Sequence, residues 1–399
     1  MERIALPRRT LGARRREVPV TPDTLLPLLA VLPPLAYGLL ALFCARAWFG
    51  RQRPRPGHTP PVTILKPVKG MDAESFENFA SFCRQEYGGP WQLLFACASA
   101  DDPVIPVIRR LMAEFPDRDI DLVVDGTIHG PNYKVSNLIN AFPGARHDIL
   151  IVCDSDIRVT SDYLGEVTAP FADPAVGLVT SLYRSPGVRG AATALEAMGF
   201  TVEMVPNVMV AQRLEGLSFA LGASMAVRRA ALESIGGFPA LVQYLADDYQ
   251  LGNKIHRSGW RLELSDCFVE SVMHREDLAT VLSRQLRWCR TMRASRPGGY
   301  LGSGITQPVP LACLALLVSG CSAAGWGAVI LLYLTRALVA VTFSRRYLRD
   351  GIFPRWLWLL PLRDILAFAT WALSFAGNRV RWRGNLFRLL PGGKIVEIG

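Results

Sequence analysis

The run Leu25–Ala45 carries no charged residue and is long enough to cross the hydrocarbon core of a bilayer, which takes about 20 apolar residues. A segment of that length and polarity must be buried in lipid or in protein, and this constrains the chain more than any other feature. Pro27, Pro33 and Pro34 lie inside it, as membrane helices tolerate. Arg46, Arg51, Arg53 and Arg55 follow, with no small-residue cleavage site, so the run reads as a retained anchor and not as a cleaved signal peptide. A second apolar region, Pro308–Phe343, is too long for one span and suits two close-packed helices turning near Gly325–Gly327. Arg336 would then lie near a helix interior and need a partner or a route to the surface. A third run, Trp356–Gly377, carries Arg363 and Asp364 and reads as a span or an interfacial helix.

Half of the 399 residues are hydrophobic and the formal net charge is +10. Basic chains meet nucleic acid, anionic membrane or phosphorylated ligands. Here the arginines flank the apolar runs, which favours a membrane surface and no nucleic acid. Arg51–Arg55, Arg345–Arg349 and Arg379–Arg388 would all prefer the cytoplasm. So would Arg8, Arg9, Arg14, Arg15 and Arg16, on the far side of the first run, and simple spans cannot satisfy every cluster. The eight cysteines show no zinc spacing and read as buried thiols of a reducing compartment, which places the middle of the chain in the cytoplasm.

After a Pro-rich linker over 46–61, the sequence alternates between the two periodicities. Strands are expected at Val62–Leu65, Leu93–Ala98, Ile120–Val124 and Ile149–Val152. Helices are expected between them at Ser75–Gln85, Val107–Phe115 and Lys134–Ala141. That order argues for a parallel sheet with helices on both faces and ligands outside the carboxyl ends of its strands. Two acidic clusters fall at such ends, Asp101-Asp102 and the D-S-D of Asp154 and Asp156. Two carboxylates at i and i+2 on a turn can reach one hard cation, Mg or Mn, which takes oxygen ligands. Alone, D-x-D would sooner be a capped strand end with two solvated acids; the second cluster moves it to the functional reading. No G-x-G-x-x-G or G-x-x-x-x-G-K-[ST] pattern supports dinucleotide or P-loop chemistry.

Farther on, Val176–Tyr183 and Leu217–Val227 read as strands, with Gly222 permitting a close backbone approach. Ala191–Arg213 is apolar and Met-rich, broken at Pro206, and is either a core helix or a segment facing a greasy ligand. Asp247 and Asp248 open a helix running to Arg257; one of them suffices as an N-cap, leaving the other free to face a cleft. Leu278–Arg290 is an amphipathic helix whose Arg284, Arg287, Arg290 and Arg293 make a cationic face, suited to phosphate or simply solvated. The division that results is an Arg-rich segment (1–24), an anchor (25–45), the linker, a catalytic unit (62–303), a transmembrane hairpin (308–343), a further helix (356–377) and a basic tail (378–399).

With D…D-x-D…D-D-Y…R-x-x-R-W in this order, between an anchor and apolar helices, the chain resembles the membrane-bound, inverting GT-A glycosyltransferases of the ceramide glucosyltransferase group. The likeness covers Val62 to about Ser303. The stretches L-V-T-S-L-Y-R at 178–184 and R-W-C-R-T-M-R-A-S-R-P-G-G-Y at 287–300 are most similar to bacterial hopanoid-biosynthesis glycosyltransferases. Those attach N-acetylglucosamine to a bacteriohopanepolyol, and ceramide glucosyltransferases are the close second. The resemblance implies an α/β, Rossmann-like GT-A domain with transmembrane helices at both ends, multi-pass in a bacterial inner membrane. It implies a UDP-sugar donor, a membrane lipid acceptor and a divalent metal. Asp101 or Asp102 would meet the nucleoside, with Lys134 and Asp154 also on the donor. Asp154 and Asp156 would hold the metal, and Asp248 would be the general base, with Asp247 as its neighbour. Arg284, Arg287 and Trp288 would pin the diphosphate and line the acceptor entrance. The alternatives are a processive polysaccharide synthase, which needs more spans than the few apolar runs provide, and a non-catalytic membrane protein.

Overall fold

The computed structural model describes residues 22–52 and 57–398; the Arg-rich start with Arg8, Arg9, Arg14, Arg15 and Arg16, and linker residues Arg53 and Arg55, lie outside the described residues. The first apolar run is one helix, α1 (Pro22–Phe49). Past the linker come β1 (Val62–Val68), α2 (Ser75–Cys83), β2 (Trp91–Cys97), α3 (Ile105–Glu114), β3 (Ile120–Val124), α4 (Tyr133–Ala141) and β4 (Ile149–Cys153). The four strands pair in parallel, β1 lying between β2 and β4. Side chains alternate across a strand, and β4 shows the two layers this creates. Leu150 and Val152 enter one buried cluster while Ile149, Ile151 and Cys153 enter another.

The sheet then turns mixed. After β5 (Ile157–Arg158), α5 (Tyr163–Thr168) and β6 (Val176–Arg184), a continuous apolar stretch forms α6 (Ala191–Gly199), a π-helical segment Phe200–Met204 and α7 (Val205–Leu214). The break expected at Pro206 is therefore absent. Proline lacks the N–H of the normal ladder and crowds the preceding turn, and the widened π segment just ahead of it accommodates both. Met198 and Met209 are buried, so this stretch is core, not an exposed greasy face. The next strand, β7 (Ser224–Arg228), is antiparallel to β4 and to β6. It starts later than the apolar pattern suggests, because Thr180 Oγ1 captures the Leu221 N–H at 2.9 Å and holds the approach in a turn.

α8 (Arg229–Glu233) and α9 (Asp247–Arg257) lead to β8 (Arg261–Ser271), which was not evident from the sequence and lies parallel to β6. The eight strands run β3-β2-β1-β4-β7-β6-β8-β5. Beyond them lie α10 (Leu278–Ser295), α11 (Pro297–Gly302), α12 (Pro308–Val318), α13 (Ala323–Thr342) and α14 (Leu360–Ser374). The α12–α13 turn falls at Gly320 and Cys321, both with positive φ, and not at Gly325–Gly327. Ser322 decides this by capping α13 at the Gly325 N–H.

By length and composition, three described helices can cross a membrane: Leu25–Phe49, Ala323–Leu348 and Leu357–Ser374. A bent pair, Pro297–Thr306 with Pro308–Val318, would be a fourth. Arg336, Arg363 and Asp364, inside these runs, have partners. Arg336 reaches Asp364 at 2.8 Å and the Val202 carbonyl at 3.1 Å, and Arg363 pairs with Glu203 at 2.9 Å. All eight cysteines are unpaired; Cys313 on α12 and Cys321 in the α12–α13 turn are exposed, not buried.

The expected basic tail is folded instead. β9 (Arg379–Trp382), β10 (Asn385–Leu389) and β11 (Ile395–Glu397) make an antiparallel sheet. Period-2 alternation turns Val380, Phe387, Leu389 and Ile395 inward against Leu245, and the arginines between them stay outside.

Candidate active site

The site is assembled where β1 and β4 end. Lys66, fully buried near the end of β1, donates to the Asp154 carbonyl at 2.7 Å and stands 4.1 Å from the Phe82 ring centroid. This pins the D-S-D turn from beneath. Ser155, between the two acids, donates to Asp72. The Asp156 carboxylate accepts from Ser271 Oγ at 3.1 Å, and its backbone carbonyl accepts from Val272 N at 3.0 Å. Burial, then repulsion from Asp154 and Asp72, pushes the Asp156 carboxyl up to about 6. Carboxylates crowded in this way repel one another, and their oxygen-only donor set is the one Mg and Mn take. Asp154 and Asp156 thus fit a divalent cation. Among the described residues no third His, Cys, Asp or Glu joins them, so a bound ion would draw its other ligands from donor and water.

Lys134 links this turn to the second acidic pair. Asn132 caps α4 by accepting the Val135 N–H at 3.0 Å. Within the first turn, Lys134 Nζ lies 2.7 Å from Asp154 Oδ1 and 3.4 Å from Asp247 Oδ2. Burial alone would lower the affinity of that ammonium for its proton, but Asp154 and Asp247 more than offset it and hold the group firmly charged. Asp247 is buried and also meets Asn132 Nδ2 at 3.4 Å, whereas Asp248 is half-buried and, among the described residues, accepts only its neighbouring Tyr249 N–H, at 2.7 Å. Thus Asp247 is the structural member of the pair and Asp248 is the one left open. Burial, then repulsion from Asp247, raises the Asp248 carboxyl to about 6 despite Lys134. Gly222 makes room for it: a Cβ there would lie 2.8 Å from Asp248 Oδ2. The close approach expected at Gly222 is real, but it is to a carboxylate and not to backbone.

The helix α10, capped by Asp277 accepting the Thr280 N–H at 2.7 Å, brings its arginines to different ends. Arg284 is held between Glu196 and Glu276, with Nε 2.6 Å from Glu196 Oε1. Arg287, one turn on, has no ion pair and no side-chain hydrogen bond among the described residues. Burial, followed by repulsion from Arg284 and Arg383, lowers its guanidinium to about 10. Trp288 tilts against Phe200 at 6.4 Å, and Phe200 meets Tyr183 edge-on at 4.7 Å. The Tyr183 phenol is pushed up first by burial and then by the Asp248, Asp154 and Asp156 carboxylates, so it belongs to the same cleft.

Asp101 is exposed, while Asp102 accepts the Gly70 N–H at 3.0 Å and the Val104 N–H at 3.0 Å. Asp102 therefore ties the loop after β1 to the start of α3, with Asp101 beside it in the open. The C-terminal sheet closes on the same loop. Arg383, at the β9–β10 turn, donates to the Lys69 carbonyl at 3.0 Å. Ile395 N–H donates to the Gln243 carbonyl at 2.8 Å, and Gln250 reaches the Gly392 carbonyl at 3.1 Å. These last contacts brace the segment that carries Asp247 and Asp248. Sequence reasoning missed Lys66, Tyr183 and Arg383; only Lys66 had a signal, a lone cation at a strand end.

Acids at the carboxyl ends of a mixed sheet, a facing cationic helix and flanking apolar helices are the plan of a GT-A-type glycosyltransferase. Residues 26–395 match Glycosyl transferase family 21. The chain belongs to that family and is a glycosyltransferase. It is 26% identical over 347 residues to ceramide glucosyltransferase 3 of Caenorhabditis elegans, with 84% of this chain and 74% of that protein covered. Ceramide glucosyltransferase 1 of the same organism is 27% identical over 242 residues, 60% of this chain and 51% of its own length. Among solved structures, a mannosyltransferase from Pyrobaculum calidifontis in complex with GDP-Man and Mn2+ shares the fold with a TM-score of 0.51 at 18% identity, over 88% of this chain and 99% of that one.

Proposed function

We propose that the protein transfers one sugar from a UDP-sugar, UDP-GlcNAc or UDP-glucose, to a hydroxyl of a membrane lipid, with inversion at the sugar carbon. The observation that carries this reading is the pairing of an open carboxylate, Asp248, with a half-buried cation, Arg287, that has no ion pair among the described residues, in one acid-lined cleft. An alcohol is a poor nucleophile, and a placed carboxylate that takes its proton in the transition state is worth about 10²- to 10⁴-fold. Asp248 does this as the lipid oxygen attacks. Arg287 receives the charge that builds on the departing diphosphate. Lys134 neutralises Asp154 and keeps Asp247 from repelling the donor. Asp101 and Asp102 meet the nucleoside, and Trp288 with Phe200 and Tyr183 walls the acceptor side. Arg284, already engaged by two glutamates, sets the position of α10. A divalent cation on Asp154 and Asp156 would supply further charge neutralisation at the diphosphate.

For the acceptor, the sequence motifs favour a bacteriohopanepolyol and the curated relatives favour ceramide. Purified enzyme given labelled UDP-GlcNAc or UDP-glucose, each with bacteriohopanetetrol and with ceramide, decides between them; labelling of neither lipid would overturn the reading. Asp248→Asn is expected to lower kcat by about 10²- to 10⁴-fold while UDP binding survives. Near-normal turnover would remove Asp248 as the base.

A further inference from the structure

A second, chemically opposite concavity lies behind the cleft. It is an open groove of about 960 Å³ where α1 ends, walled by Arg46, Arg51, Arg184, Arg346 and Arg349 against a single carboxylate, Asp266. Its floor is a stack of rings: Phe49 lies 4.8 Å from Tyr347 and 5.8 Å from Phe268, both nearly parallel. Two of the arginines are committed. Arg51 pairs with Asp266 at 2.9 Å, and Arg184 pairs with Glu270 at 2.9 Å and donates to the Leu348 carbonyl. Arg46, Arg346 and Arg349 are exposed and have no carboxylate partner among the described residues.

The groove's position tells what the free arginines would meet. A Cβ at Gly38 would lie 3.3 Å from Val339, and farther along Phe49 stacks on Tyr347, so α1 and the span through α13 run side by side and end together here. On α1, Leu39 (57% exposed), Phe43 (61% exposed) and Ala47 follow at four-residue spacing, one face of a helix. Phe43 and Ala47 line the groove. An apolar stripe thus climbs the outer face of a bilayer-length helix and ends among unpaired guanidiniums. That is the profile of a lipid whose chains lie along a span and whose headgroup is a phosphate.

We propose that this groove binds an anionic phospholipid, its phosphate held by Arg46, Arg346 and Arg349 and its acyl chain along Leu39 and Phe43. The inference rests on the membrane reading of the apolar helices but not on the identity of donor or acceptor. The site is separate from the cleft: Tyr183 and Arg184 are successive residues of β6, which face opposite ways, one toward the acids and the other toward the groove. An occupant that orders Arg184 and Leu348 would steady the strand end carrying Tyr183.

The test uses the full chain reconstituted in phosphatidylcholine vesicles containing trace spin-labelled phosphatidylglycerol or spin-labelled phosphatidylcholine. Flotation with the vesicles is scored separately. The protein is expected to immobilise the phosphatidylglycerol label over the phosphatidylcholine label by roughly fivefold or more, given the attraction of each arginine near a membrane surface. Arg46→Gln with Arg346→Gln and Arg349→Gln should erase that preference. Arg345→Gln, an exposed neighbour that does not line the groove, should keep it. Equal immobilisation of both labels by the wild-type protein, which needs no variant to fold, would overturn the proposal. So would an equal loss in Arg345→Gln, or complete displacement of the label by soluble glycerol phosphate, which would make the site one for free phosphate. A chain that fails to float overturns the membrane reading along with the groove; one that floats without preference overturns the groove alone.

Discussion

The cleft and the groove lie back to back across the end of β6, and they handle charge in opposite ways. In the cleft, acids are in excess: Asp72, Asp154, Asp156, Asp247 and Asp248 crowd around Lys134 and Lys66, and two of the carboxyls are driven up to about 6. In the groove, arginines exceed acids and three of them have no carboxylate partner among the described residues. Crowded carboxylates hold protons and cations, so they suit chemistry. Unpaired arginines on a membrane-facing edge hold anions, so they suit attachment. One small domain keeps both because a strand presents alternate residues to alternate sides.

The contrast can be broken by experiment. The strongest break is Asp154→Ala with Asp156→Ala, expected to abolish metal-dependent UDP binding in a calorimetric titration; unchanged binding would make the D-S-D turn structural. Next is the pair of arginines on α10. Arg287→Ala is expected to lower kcat by about 10²- to 10³-fold with little change in Tm. Arg284→Ala strands Glu196 and Glu276 and should instead lower stability, by up to about 3 kcal/mol. If thermal melts and steady-state rates swapped these outcomes, the assignment of the free cation would be wrong.

Acidity offers a gentler probe. Asp248 is faced by Asp247, Asp154, Tyr183, Lys134 and Arg287, and its carboxyl is raised to about 6. A base must be ionised, so kcat/KM should fall about tenfold per pH unit below that point and level off above it. A flat profile across this range would separate Asp248 from proton transfer. The smallest effect belongs to the groove: Arg346→Gln in phosphatidylcholine vesicles should leave kcat within about twofold of wild type, because no anionic headgroup is there to lose.

The parallel half of the sheet was legible because buried parallel strands are short apolar runs and their helices carry the 3.6 period. The strand Ile120–Val124 and the helix Asp247–Arg257 have the bounds their patterns suggest. Asp248 was legible as a member of a pair, but not the division of labour within it, which depends on Asn132 and Lys134 reaching Asp247 from more than a hundred residues away. Arg284 and Arg287 look alike in sequence; Glu196, on a different helix, tells them apart. β8 was hidden because R-L-E-L-S-D-C-F-V-E-S loses its alternation where its register with β6 shifts, between Thr180 and Leu182. The last sheet was hidden by its arginines, which mask four inward apolar residues.

The hydrogen bonds from Ile395 to Gln243 and from Gln250 to Gly392 bear on the birth of the enzyme as well as its shape. A ribosome making this chain releases Asp154, Asp156, Asp248 and α10 well before it reaches residue 395. Until then the segment before Asp247 lacks its brace, and the nascent transferase sits in its membrane with an unfinished cleft. The support of the Asp247–Asp248 segment is therefore completed late in synthesis, after the apolar helices have been made.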